Sequence, residues 1–150
     1  MKKSFMKTLV GDLARVKSKQ DIQGALEIYH PQAELVTVGL NAQAHGLLEI
    51  EQQLNIFFKI FPDYQVNITQ IACNEQALLA TGNVYFTPSL LDQPGKAVEQ
   101  TTAFSFEFKE NRISKEVFFL DFGQLCKKNN ITLSQLLLAM KQHSTNRPHV

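Results

Sequence analysis

The chain has 150 residues, 44% of them hydrophobic, and a formal net charge of +1. These totals exclude a disordered chain, and they leave no bulk charge with which to hold nucleic acid or an anionic membrane. The length suits one domain over 1–150, able to bury roughly 70% of its unfolded surface without disulfide or metal staples.

The chain begins with a locally basic stretch: Lys2, Lys3, Lys7, Arg15, Lys17 and Lys19 against Asp12. It reads as a solvated helix face, since no glycine-rich or aromatic element accompanies it. Within it, Met6, Leu9, Val10, Leu13 and Val16 recur at helical spacing, which predicts a helix from Phe5 to Lys17. A second helix begins at Asp21, whose carboxylate suits an N-cap. It presents Ile22, Ala25, Leu26 and Tyr29 on one face and stops at Pro31. Ala33 to Val38 is a short β-like run, and Asn41 to Gly46 reads as a loop. Leu47 to Phe61 is the clearest helix, with a wide stripe made by Leu47, Ile50, Leu54, Phe57, Phe58 and Phe61.

Beyond Pro62 the period changes to two. Tyr64 to Cys73, Ala77 to Thr87, Val98 to Lys109 and Arg112 to Asp121 predict four strands joined by turns, an antiparallel meander. In the third strand Thr102, Phe104, Phe106 and Phe108 share a face. In the fourth, Ile113, Val117, Phe119 and Asp121 are placed together. Pro88 to Lys96 is a longer turn. Thr132 and Gln135 have capping-box spacing ahead of a last helix striped by Leu133, Leu136, Leu137 and Met140, and Ser144 to Val150 reads as a frayed tail. The fold class is therefore α+β: helices packed on a strongly bent antiparallel sheet, a cone-shaped barrel around an apolar pocket.

Cys73 and Cys126 make no metal or redox pattern and read as two free, buried thiols of a reducing compartment. Lys7 and Asp12 interrupt what would be the apolar core of a signal peptide, and no apolar run approaches the roughly 20 residues of a membrane span, so a cytoplasmic protein with no membrane partner is expected. No phosphate loop, nucleophile elbow or metal cluster is present, which predicts no cofactor and no metal.

Asp121 is the first candidate for chemistry. In phase with Val117 and Phe119 it faces the apolar side, where lost hydration would raise its pKa toward that of a general acid/base. The structural alternative is a cap for the helix that follows. His45 lies ahead of the long helix near a pocket mouth. His30, at a helix end, could complement the helix dipole. Tyr29 and Tyr85 could offer a hydroxyl to a ligand carbonyl. Phe57, Phe58, Phe61, Phe104, Phe106 and Phe119 suit a cavity for a small, flat, apolar ligand.

Three passages carry a family resemblance: ALEIYHPQAELVTVG (Ala25 to Gly39), GLLEIEQQLNIFFKIFPDYQV (Gly46 to Val66) and FSFEFKENRISKEVFFLD (Phe104 to Asp121). In order and spacing, over Gln20 to Lys128, they resemble the SnoaL-like polyketide cyclases of the nuclear transport factor 2-like superfamily. The resemblance implies an α+β cone, a homodimer and a pocket at the open end, with Asp121 matching the cyclases' acid/base aspartate. The histidine that usually accompanies it is absent, because the matching strand reads Gly82-Asn83-Val84-Tyr85-Phe86. Cofactor-free proton transfer on a small apolar carbonyl compound is one expected function. A non-catalytic ligand-binding or dimeric interaction module is the other.

Overall fold

The computed structural model describes residues 1–89 and 93–145. Helix α1 (Lys3–Ser18) buries Met6, Val10, Leu13 and Val16 at the expected spacing. Lys17 falls on the same stripe, four residues after Leu13, and is buried with it. Helix α2 (Ile22–Ile28) begins at Asp21, whose carboxylate accepts the Gly24 backbone N–H at 2.9 Å, so the expected N-cap is present. It ends earlier than expected. Tyr29 to Pro31 already belong to strand β1 (Tyr29–Thr37), whose register breaks between Tyr29 and Glu34, where the proline needs no ladder hydrogen bond.

A 3-10 turn (Val38–Leu40) leads into β2 (Ala42–His45), which occupies the stretch expected to be loop and pairs antiparallel with β1. Gly39 is required in that turn, since a Cβ there would fall 1.9 Å from the Leu120 carbonyl oxygen. Helix α3 (Gly46–Ile60) follows, its start closed by the His45 backbone N–H donating to Glu49 Oε1 at 2.9 Å. Then come β3 (Gln65–Cys73), β4 (Ala77–Phe86), β5 (Val98–Lys109) and β6 (Arg112–Phe119), the expected antiparallel meander. The β5–β6 turn places Glu110 and Asn111 at φ 52° and 63°.

The sheet order is β2-β1-β6-β5-β4-β3. β1 runs parallel to β6, so the sheet is mixed rather than antiparallel throughout. The intervening helix and meander supply the long crossover that a parallel pair needs. Register shifts in β3 and β6 bend the sheet. Its inner face packs on α1 and α3, enclosing one apolar core.

Two short helices finish the described chain, α4 (Gly123–Lys128) and α5 (Leu133–Thr145). The capping box is reciprocal: Thr132 N–H donates to Gln135 Oε1 at 2.8 Å, and Gln135 N–H to the Thr132 hydroxyl at 3.1 Å. Of the expected α5 stripe only Leu136 is fully buried, with Met140 partly so. Leu133 and Leu137 are exposed because α5 rests on the outside of α3. Ser144 and Thr145 belong to α5, and the rest of the expected tail, 146–150, lies outside the described residues. Among the described residues no helix is long and apolar enough to cross a membrane. Cys126 is buried, which raises its thiol pKa, whereas Cys73 is only partly buried.

Candidate functional site

The polar centre of the core is Glu116, 2% exposed on the inner face of β6. Its Oε1 accepts the Lys17 ammonium at 2.9 Å and a hydrogen bond from the Tyr29 hydroxyl. Lys17 Nζ also sits 5.4 Å from the Tyr29 ring centroid, a cation–π contact. Three elements therefore meet at one carboxylate: the end of α1, the start of β1 and the middle of β6. Burial, followed by the charge of Glu116, holds the Tyr29 and Tyr64 hydroxyls well above the usual phenol range. The ion pair and the tyrosine satisfy a charge that would otherwise be too costly to bury.

Two small cavities flank this cluster. One, of about 20 Å³, is lined by Lys17, Leu35, Thr37, Gln53, Leu54, Phe57, Phe58, Tyr64 and Phe118. The other, of about 10 Å³, is lined by Lys17, Tyr64, Phe104, Phe106 and Glu116 among others. Lys17 and Tyr64 border both. The larger has room for about one water molecule. Gln53 Oε1, in its wall, is buried and has no hydrogen-bond partner.

The structure divides the sequence-predicted residues. Tyr29, Phe57, Phe58, Phe104 and Phe106 lie on the inside as expected. Phe57 and Phe58 line the first cavity, Phe104 and Phe106 the second, and Tyr29 bonds Glu116. Phe61 is wholly buried, its ring against Phe86 and Phe122 at centroid distances of 5.0 and 6.0 Å, and is a core residue. Tyr85 and Phe119, expected inside, are 43% and 47% exposed on the outer face of the sheet. His45 is exposed on β2 near Glu34, with 3.5 Å between Nδ1 and Oε1, and lines neither of these two cavities. His30 is buried in β1, not at a helix end. Its Nδ1 accepts the Gln32 backbone N–H, and its Nε2 lies 3.6 Å from Glu110.

The inward facing expected for Asp121 is likewise corrected. Its side chain is exposed, and its carboxylate accepts the Gly123 backbone N–H at 2.8 Å ahead of α4. The cause is a β-bulge. Phe108 pairs with Ile113 but Glu107 with Lys115, so Ser114 is an extra residue. One extra residue reverses every side chain beyond it. Glu116, Phe118 and Leu120 therefore turn inward, and Phe119 turns out.

Sequence reasoning missed Lys17, Glu116 and Gln53. Lys17 was legible as a lysine on the apolar stripe of α1. Glu116 was hidden by the bulge, since Val117-Phe118-Phe119-Leu120 is apolar in either phase. Among the described residues no cluster of three or more His, Cys, Asp or Glu gathers to hold a metal.

The fold is shared with solved structures of low sequence identity. A protein of ketosteroid isomerase-like fold from Catenulispora acidiphila DSM 44928, in complex with trimethylamine, is 9% identical with TM-score 0.75, over 84% of this chain and 95% of that one. A nuclear transport factor 2-like protein of unknown function from Burkholderia pseudomallei K96243 is 12% identical with TM-score 0.71, over 82% and 95%. A structure assigned as a SnoaL-like polyketide cyclase from Shewanella putrefaciens CN-32 is 16% identical with TM-score 0.68, over 83% and 94%. No curated protein sequence matches. The SnoaL-like domain model matches residues 10–116, which run from the second half of α1 to Glu116 and include Lys17 and Tyr29, and the chain belongs to the SnoaL-like domain family.

Proposed function

We propose that this chain holds a small, mostly apolar molecule between α3 and the inner face of the sheet, with its one polar group turned toward Lys17 and Glu116. The observation that carries this reading is the buried Lys17–Glu116 pair: its lysine lines the cavity beneath α3, and its carboxylate borders the smaller cavity beside it, both within a largely apolar core. Phe57 and Phe58 line the cavity beneath α3 and are each 8% exposed, so a χ1 rotamer change that swings either ring aside enlarges the cleft beyond its resting size. Cofactor-free acid/base chemistry fits the same cluster. Glu116 takes a proton at Oε2, the oxygen its two hydrogen bonds leave available, while Lys17 steadies the ligand oxygen. Glu116 thus takes the role that the family resemblance gave to Asp121.

Titration with small neutral aromatic probes, followed by amide NMR, tests the reading. Shifts concentrated on α3, Lys17 and β6 are expected. Shifts confined to the outer sheet face, or none with any probe, overturn it. A homodimer is the second part of the proposal. The outer face presents Leu79 and Phe119 at an open groove of about 620 Å³, with Tyr85 exposed farther along β4, an apolar surface of the kind that pairs. Sedimentation as a monomer at high micromolar concentration would remove that part alone.

A further inference from the structure

We propose that Gln53 sets ligand choice in the cleft beneath α3, selecting molecules whose leading group donates a hydrogen bond over aprotic molecules of the same shape. This rests on the ligand-binding reading above. Gln53 Oε1 is buried without a partner and borders the cavity it shares with Lys17, Thr37 and Tyr64. Buried amide oxygens are almost always satisfied, because an unsatisfied one loses its hydration for nothing. The cavity has room for about one water, which can donate to Gln53 Oε1 and accept from the ammonium beside it. Lys17 has donors to spare: it has three N–H groups, and its hydrogen bond to Glu116 uses one.

A ligand that displaces this water must reproduce its donation to Gln53, so a hydroxyl, an enol or an N–H is favoured and a methyl or ether is not. The charges of Lys17 and Glu116 cancel at 2.9 Å, which favours a neutral head group over an ionised one.

Phenol and toluene differ at one position and have nearly the same shape. A cleft with no polar requirement takes toluene, because toluene leaves water more readily. The native chain is expected to bind phenol more tightly than toluene by roughly tenfold or more in NMR titration. In Gln53→Met and Gln53→Leu, both checked for native amide dispersion, the preference is expected to collapse or reverse. Equal binding of the two probes by the native chain, or an unchanged preference in both variants, overturns the role of Gln53 and leaves the ligand site standing. No binding of either probe by the folded native chain overturns the ligand site and this inference together.

Discussion

The two faces of β6 carry similar side chains in different surroundings. On the inner face Glu116 and Phe118 are 2% and 5% exposed. On the outer face Phe119 is 47% exposed, and beyond the strand the Asp121 carboxylate only closes a turn. Each face offers a phenylalanine, and each side of the strand a carboxylate. What separates them is one extra residue, Ser114, which assigns the inner pair to the core. A carboxylate's chemical prospects are thus set by strand phase before they are set by residue type.

The largest expected effect comes from breaking the inner carboxylate. Glu116→Ala strands the Lys17 ammonium in the core and should cost about 3–5 kcal/mol in urea unfolding. The double variant Lys17→Met with Glu116→Leu removes both charges and should lose much less than Glu116→Ala. Equal losses in the two would mean that packing, not the unpaired charge, dominates at this position. Phe118→Ala comes next. Its ring is 5% exposed and stacks on Phe104 at 4.8 Å, so its loss should cost the roughly 3–5 kcal/mol usual for a buried phenylalanine. Phe119→Ala should change monomer stability by less than about 1 kcal/mol, and its effect should appear in self-association instead.

The buried tyrosines sharpen the same contrast through pH. The folded pKa values of Tyr29 and Tyr64 are raised above the ordinary value of about 10 by burial and by Glu116. The unfolded chain therefore releases these protons first. The stability they contribute is whole below pH about 10 and is lost as pH rises from there toward the raised folded values. Each tyrosine should remove about 1.4 kcal/mol per pH unit in that window. Unfolding free energies measured across it should show the loss, and Tyr29→Phe should reduce its slope by about half.

Much of the fold was legible because periodicity reports burial directly. The α1 and α3 stripes, the β5 face of Thr102, Phe104 and Phe106, and the Thr132–Gln135 box all stand where their spacing put them. β2 was not legible, because Ala42 to His45 is short and only Ala44 is buried. The parallel pairing of β1 with β6 depends on long-range topology, which local pattern does not carry. The site was only half legible. Phe57 and Phe58 followed from helical phase, and Tyr29 was expected on the apolar face of a helix but is buried at the start of β1, whereas Glu116 lies past a bulge and Gln53 shows its unmet hydrogen bond only once α3 is docked.

The smallest expected effect completes the comparison of carboxylates. Asp121→Asn keeps an oxygen that can accept the Gly123 N–H, so stability should change by no more than about 1 kcal/mol. The Gln100 side chain reaches the Asp121 backbone carbonyl at 2.7 Å and is untouched by the substitution. Ligand binding, and turnover once a substrate is known, should therefore survive Asp121→Asn and fail in Glu116→Gln. The opposite result, with turnover lost in Asp121→Asn and kept in Glu116→Gln, would return the chemistry to the end of the strand. The bulge at Ser114 would then be a packing feature with no part in placing the acid.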